Sequence, residues 1–531
     1  MSFTTIKSAV LLFSGVLLAT GCTKDFEQIN TNPASYNGSN FNPNFLFTTA
    51  QVGYTGSSDF SYDTWRANLI YCSTLMQGFS TVISYWAGDK YRLNAAYAAA
   101  YWGFSGDGAY YEQIRPIMDV IKTTADQPQY KNLHEMARIM KAMMMERITD
   151  LYGDVPYFEA GLGYYNKNFF PKYDKQQDIY ADLLKEVEDA AGKLDPAADK
   201  PTGDLLYKGN TDQWKRFAYT LMLRMAMRLT KVDPAAAQAA VQKVIGKTMT
   251  SNADNAFING DASGGISTIN RNSLVLLGDG GQECYYVKWS KTFIDWLTVN
   301  KDPRLGKIAV TGLYPIATST VQSASYNTSA AVQKGMPNGK DLSGIAGQDI
   351  ATDPTYTGMP NYSSPSPYMI RRNGPTFFLT YAESELLLAE AAQRFGIAGS
   401  ASQHYRDGVK AAMTYLGQYD PSIAVDDASA EAYLAQHPYD AAAGLNMINT
   451  QYWGLTNSML DFYESWSNWR RSGFPVLTPV VFPNNVTNGT IPRRFPYPLA
   501  ESNTNPVNYK AASAAVPGGD NLTGRVWWDK Q

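Results

Sequence analysis

The sequence predicts a mainly α protein in which paired helices build a scaffold and an irregular, loop-rich region is set between them. Three observations carry that expectation. Apolar residues recur at spacings of three and four through long stretches of both halves, the period of one helix face. Short turns containing Gly, Asn or Pro separate those stretches. From 251 to 375 the period fades, and Gly, Ser, Thr, Asn, Tyr and Pro dominate.

At the start of the chain, Lys7 is the only charge before an apolar run from Ala9 to Leu18. A membrane-spanning helix needs about 20 apolar residues, so this run is too short to span. It has the size of a signal-peptide hydrophobic region. Ala19-Thr20-Gly21 then precedes Cys22, the small-residue setting of a bacterial lipobox, with Ala19 where Leu is usual. Residues 1–21 are therefore expected to be a lipoprotein signal peptide, with Cys22 acylated. An ordinary secretory signal with an incidental cysteine is the plainer alternative. Residues 22–43 are polar and read as a lipid-anchored tether. No later segment has 18 consecutive apolar residues, so the remainder is expected to be anchored to a membrane and not to cross it.

Residues 44–250 form the expected N-terminal helical region. Leu133, Met136, Ala137, Met140, Met144, Ile148 and Leu151 make one apolar stripe that Gly153 ends. Its methionines are read as helix packing. A second helix covers about Gln176 to Leu194, with Ile179, Leu183, Val187, Ala190 and Leu194 inward. Trp214, Phe217, Ala218, Leu221, Met225 and Leu229 line a third, and Asp233-Pro234 reads as the cap and first turn of a fourth. Helix pairs with short connections are the arrangement of tetratricopeptide-like units, although the strict repeat consensus is missing. Residues 251–375 are expected to be loops, short helices and a few strands, and long structured loops commonly carry function. Residues 376–475 return to helix: one from Phe377 to Gly396, one over about 402–416, and one from about Met447 to Arg471. The Pro- and Asn-rich tail, 476–531, is expected to wrap the surface. A chain this long suggests two or more packed subdomains.

Composition narrows the chemistry. The 45 Lys and Arg residues nearly balance 48 Asp and Glu, so there is no electrostatic case for nucleic acid. Beyond Cys22 the cysteines are Cys72 and Cys284, read as buried thiols, with a disulfide as the alternative. No Cys/His spacing suits a metal, and no cofactor or metal is expected. The histidines His134, His404 and His437 lie on polar helix faces without a nucleophile nearby. Gly103–Gly108 lacks the Lys and the strand context of a phosphate loop. A pair of carboxylates acting as a glycosidase stays open on sequence alone. The positive signal is aromatic: 13% of residues, with 36 Tyr and 11 Trp, more than a core needs. Such rings combine a flat apolar face with a polar edge, which suits sugars and other amphipathic ligands.

Several short segments, each weak alone, keep a specific order along the chain. They include Tyr152-Gly153-Asp154-Val155-Pro156, Pro171-Lys172-Tyr173-Asp174 and Asp204-Leu205-Leu206-Tyr207. Leu223-Arg224-Met225-Ala226-Met227-Arg228 and Asp302-Pro303-Arg304-Leu305 follow. Then come Tyr381-Ala382-Glu383-Ser384-Glu385, Glu464-Ser465-Trp466 with Trp469-Arg470-Arg471, and Pro492-Arg493-Arg494-Phe495-Pro496-Tyr497-Pro498. Together with the lipobox, they make the chain resemble the SusD/RagB family over nearly its whole length. The resemblance implies a surface-exposed lipoprotein of the outer membrane. Such a protein captures a glycan, or in some members a peptide, for a SusC-like TonB-dependent transporter, without altering its ligand. A secreted glycan hydrolase and a purely structural helical scaffold are the readings from other classes. Arg224 and Arg228, Glu383 and Glu390, and Arg470 and Arg471 are expected to be structural ion-pairing groups.

The candidate ligand-binding residues are Tyr85, Trp86, Tyr91 and Arg92, on an interhelical loop, and Tyr314, Tyr356 and Tyr362 in the irregular region. Asp89 and Lys90 beside them are candidates for binding hydroxyls. The plainer reading of Trp86 and Tyr91 is that they plug a gap between helices.

Overall fold

The computed structural model describes residues 41–103, 106–279 and 281–530; the expected signal peptide, Cys22 and most of the expected tether lie outside them. Helix α1 spans Pro43–Tyr54 and is followed by a π-helix over Asp63–Ser73 and strand β1, Phe79–Thr81. Helices α2 (Arg115–Thr124), α3 (Lys131–Tyr152), α4 (Gln176–Lys193), α5 (Thr211–Arg228) and α6 (Pro234–Val244) come next. Each of α2 to α5 packs on its successor, which is the helix-pair arrangement the periodicity implies.

Local chemistry sets the ends. The Asn210 side chain accepts from the Asp212 and Gln213 amides at 3.0 and 3.2 Å and opens α5. Asp233 accepts from Ala236 N at 2.9 Å, and Pro234 occupies the first turn of α6, where its missing N–H costs nothing. Helix α3 stops at Gly153, whose φ of 86° suits a residue without Cβ.

The irregular region holds β2 (Ala256–Asn259), β3 (Val287–Trp289), α7 (Lys291–Val299), β4 (Ala309–Val310) and β5 (Ser364–Pro365), and runs into β6 (Pro375–Leu379). The strands pair antiparallel as β1–β3, β2–β6 and β4–β5. The first pair sets Phe79 opposite Trp289 and so ties the N-terminal region to the insert.

The C-terminal helices are α8 (Tyr381–Phe395), α9 (Ala401–Thr414), α10 (Asp427–Gln436), α11 (Gly444–Ser458), α12 (Phe462–Ser472) and α13 (Pro506–Ala515). A capping box between Thr380 and Glu383 opens α8. The single stripe predicted from Met447 to Arg471 is two helices. Leu460 takes a positive φ of 60° between them, and Asp461 caps α12. Both pieces keep an apolar face, so periodicity alone did not reveal the break.

One hydrophobic core runs from Phe47 through the α3, α5, α8 and α12 stripes to Trp528. Residues Asn44–Gln531 accordingly form one compact unit, not the two or more subdomains expected from length. The tail contributes to that core: Phe495 and Trp528 are fully buried, and Trp528 Nε1 donates to Asp150 at 2.9 Å. Inside the scaffold, Arg224 meets Glu146 at 2.6 Å and Arg228 meets Asp150 at 3.0 Å. Arg471 donates twice to Glu390, at 2.6 Å each. Glu383 and Glu464 both accept from the Tyr452 hydroxyl, at 3.1 and 2.8 Å, in the same buried network. These carboxylates are sealed among arginines and line no cleft. Cys72 and Cys284 are both buried free thiols.

Candidate functional site

The loop singled out in the sequence, 84–92, is mostly interior. Trp86 and Tyr91 are fully buried in the main core. The Tyr91 hydroxyl accepts from Val480 N at 3.1 Å, and its carbonyl accepts from Val486 N at 2.9 Å. Arg92 donates to the Pro483 carbonyl at 3.3 Å and lies over the Phe482 ring. The C-terminal tail thus covers this side of the loop. Asp89 and Lys90 are buried as well: Asp89 accepts from Asn338 Nδ2 at 2.6 Å and Gly339 N at 3.0 Å, and Lys90 donates to Thr81 O at 3.2 Å. They fasten the loop to the irregular region, and their expected use toward ligand hydroxyls is not available in this arrangement.

Tyr314 and Tyr362 are also buried, in two small clusters of the irregular region. The Tyr314 hydroxyl accepts from Gln322 at 2.9 Å. Tyr362 packs with Val82, Met336, Ile350 and Met359. None of these buried rings offers a free face for stacking. Tyr356 is half-buried, 6.3 Å from Tyr362, and Tyr285 and Tyr286 pack on the same cluster.

Tyr85 is the exposed aromatic of the loop, at 39%. It belongs to an aromatic surface that the sequence reading missed. The segment before and within the π-helix supplies Phe60, Tyr62 and Trp65, all half-buried. Trp65 lies 5.4 Å from Phe60, 6.2 Å from Tyr62 with planes 21° apart, and 6.3 Å from Tyr85, edge-on. The Arg66 guanidinium sits 3.5 Å over the Tyr62 ring and 5.1 Å from that of Tyr97, also half-buried. Five rings and a cation therefore share one surface.

The surface is built on a firm base. Asp63 accepts from Ser57 N at 2.9 Å and holds the turn before the π-helix. Asn68 clamps the π-helix to the α11–α12 break, donating to Leu460 O at 2.9 Å and accepting from Phe462 N at 3.0 Å. A π-helix widens the backbone and is frequent at functional sites. Here it sets Trp65 and Arg66 outward while Leu69, Ile70 and Cys72 point into the core. The Tyr85 hydroxyl donates to the buried Glu283 of the irregular region. Burial, and then the hydrogen bond to Glu283 and its charge, push the Tyr85 hydroxyl well above the usual phenol range. Glu283 begins the helical turn that carries Tyr285 and Tyr286, whose rings meet edge-on at 4.8 Å. Nearby, burial pushes Lys288 down to about 7; its Nζ donates to Ser364 Oγ at 2.8 Å.

Among the described residues, no group of three or more His, Cys, Asp or Glu is placed to hold a metal, and no helix is long and apolar enough to cross a membrane. The histidines are held structurally: His404 between Glu385 and the Ala398 carbonyl, His437 on the Asn300 carbonyl.

The fold and this surface define a class: a tetratricopeptide-like helical scaffold bearing a loop-rich insert, with an aromatic surface where the two meet. Residues 36–498 match the profile of the SusD-like family described as starch-binding and associating with the outer membrane, and the chain belongs to that family. Solved structures agree. A chitin-binding protein is 33% identical, with 92% of this chain and all of that one covered, at a TM-score of 0.78. A Bacteroidetes SusD-like protein is 27% identical at the same coverage and TM-score. A SusD homologue from Bacteroides uniformis, 21% identical over 92% of this chain and all of that one, matches with a TM-score of 0.70. No curated protein matches the chain.

Proposed function

We propose that this protein is a surface lipoprotein that captures an oligosaccharide and passes it to a SusC-like TonB-dependent transporter. The carrying observation is the Phe60–Tyr62–Trp65–Tyr85 surface, with Arg66 held against it. Sugar rings present patches of C–H bonds that lie against aromatic faces, and the Tyr85 hydroxyl and the Arg66 guanidinium supply polar edges beside them. The 33% identical chitin-binding relative makes β-linked N-acetylglucosamine oligomers the first ligand to test. The Cys22 lipobox supports anchoring at the outer membrane, where the family associates. Membership of a family that associates with the outer membrane supports the transporter partnership.

Calorimetric titration of the purified protein with chitin oligomers, starch oligomers and short peptides tests the ligand, with product analysis on each mixture. Binding of an oligosaccharide without cleavage, weakened in Trp65→Ala, is the expected result. Peptide binding alone would redirect the ligand assignment, and cleavage would overturn the capture role. Anchoring is tested separately: Cys22→Ala should move the protein from the membrane fraction to the soluble one, and full retention would rule out lipidation at this residue.

A further inference from the structure

Among the described residues eight aromatic side chains are exposed, and five of them lie in the connection between α3 and α4: Phe158, Tyr164, Tyr165, Phe169 and Phe170. Their exposures run from 37% to 76%, on the order of 600 Å² of aromatic surface open to solvent. Apolar patches of that size mark interaction sites. The connection cannot fold back to hide them, because it is fastened on both sides. Tyr165 donates to Asp119 of α2 at 2.8 Å. Asn508 of α13 donates to the Phe170 carbonyl at 3.1 Å, and Asn505, just before α13, to the Pro171 carbonyl at 2.8 Å. Gly161, at a φ of +70°, lets the chain pass over α2; a Cβ there would lie 2.8 Å from Met118 Cγ.

A cavity of 310 Å³ opens beside Phe169. Trp102, Tyr110, Phe169 and Pro171 give it apolar walls, and Glu159 and Glu501, both half-buried, give it charge. Neighbouring carboxylates have cations: Lys175 meets Asp154 at 2.7 Å and Arg494 meets Asp520 at 2.6 Å. Glu159 and Glu501 have none within ion-pair distance among the described residues. They accept from neutral donors instead, Glu159 from the Lys172 amide at 3.0 Å and Glu501 from the Tyr173 hydroxyl at 2.8 Å. Aromatic faces beside carboxylates suit a guanidinium or an ammonium, through cation–π attraction and charge-assisted hydrogen bonds. The volume is at the small end of ligand sites and fits one long side chain better than an oligosaccharide.

An apolar ledge around a cavity that takes a cation is the layout of a protein docking site, where Arg and aromatic anchors carry most of the energy. A lipid surface also suits aromatics flanked by Lys167 and Lys172, but the two carboxylates oppose an anionic leaflet. The ledge is close in the chain to the proposed ligand surface. Tyr97 faces the Arg66 guanidinium there, and Trp102 of the cavity wall follows five residues later, at most about 18 Å away.

We propose that this face docks the transporter, a segment of which places one arginine or lysine side chain in the cavity and apolar neighbours on Phe158, Phe169 and Phe170. The identity of the partner rests on the transporter reading above; the face and the charge of the anchor rest on the ledge and the cavity.

Tagged protein, extracted in mild detergent from the outer membrane of the cells that make it, tests the face. Wild type should bring down one transporter, identified by mass spectrometry. The double variant Phe169→Ser/Phe170→Ser should reduce its recovery about ten-fold or more. Glu159→Gln/Glu501→Gln should reduce it by a similar factor, and Glu501→Lys, which sets like charge against the incoming cation, further still. Circular dichroism and calorimetric glycan binding should match wild type in all three. Unchanged recovery in the phenylalanine and glutamine variants would overturn the docking face and leave the transporter reading standing. Wild type that brings down no transporter would overturn both. Loss in the phenylalanine variant with full recovery in Glu501→Lys would sink the cationic anchor. Protein without its lipid is then mixed with anionic vesicles and sized by light scattering. Sedimentation with the vesicles, or dimerisation, that disappears in Phe169→Ser/Phe170→Ser would assign the face to lipid or to a second copy and overturn the proposal.

Discussion

At the scale of single residues, Trp65 and Trp86 separate two uses of the same side chain. Trp65 is half-buried on a surface of rings; Trp86 is fully buried in the core. Trp65→Ala removes a stacking face, so affinity for the captured glycan should fall about ten-fold or more, and because Trp65 is only partly buried against the core the variant should lose less stability than Trp86→Ala. Trp86→Ala empties a core site and should cost about 3–5 kcal/mol in urea unfolding. Similar destabilisation by both variants would remove the distinction and, with it, the assignment of the surface. The sequence showed aromatic density around both residues but not which rings are covered. Exposure of the 84–92 loop is decided by residues 338–339 and 480–486, far away in the chain, and no local pattern encodes that docking. Phe60, Tyr62 and Trp65 carry no local signal that singles them out as a surface. Tyr62 and Trp65 are three apart, a spacing that reads equally as helix packing.

At the scale of elements, helix caps and buried ion pairs explain why the scaffold was easier to read than the site. Asp233-Pro234 and the stripes of α3, α4 and α5 are local signals, and the structure places helices there. Asp233→Ala should cost about 1 kcal/mol, as for other N-caps, measured by chemical unfolding. The pair joining α8 to α12 is stronger. Arg471 and Arg394 hold the buried Glu390 carboxyl down to about 2, against the upward push of burial. Arg471→Met leaves that carboxylate buried with only Arg394 beside it, and should destabilise by about 3–5 kcal/mol. The pH sign follows from the depressed value. Glu390 contributes its full stabilisation above the ordinary carboxylate range, near 4.5, and loses it as pH falls toward about 2. The stability difference between wild type and Glu390→Gln should therefore shrink across that window. A difference that stays constant from pH 5 to pH 2.5 would contradict the pairing. The break between α11 and α12 was not legible, because a single residue at positive φ leaves both apolar stripes in register with one another.

At the scale of the whole molecule, one core joins the two helical regions while the irregular region keeps small clusters of its own. Val82, Met336, Ile350, Met359 and Tyr362 form one such cluster, and Cys284, Val310, Leu313 and Tyr314 the other. Each has a handful of side chains, against a main core that runs from Phe47 to Trp528. Opening a segment costs roughly what its buried contacts are worth, so stability is expected to be uneven along the chain. The strand pair β1–β3, the Tyr85–Glu283 contact, the Asp89 bonds to Asn338 and Gly339, and the main-core residues Trp289, Phe293, Leu297 and Ile308 fix the insert to the scaffold. Native-state hydrogen exchange should then show three levels. Amides of α3, α5, α8 and α12 should exchange only through global unfolding. Those of residues 287–289 should be intermediate, and those of 313–362 fastest, among them the amides around Tyr356. Bound glycan should raise protection near Tyr85 and Glu283 and change it little in α4 or α6, since the ligand surface lies where scaffold and insert meet. Uniform protection across the insert without ligand would mean that its small clusters are as strongly coupled to the main core as the helices are, and the rigid-scaffold, softer-insert division would fail.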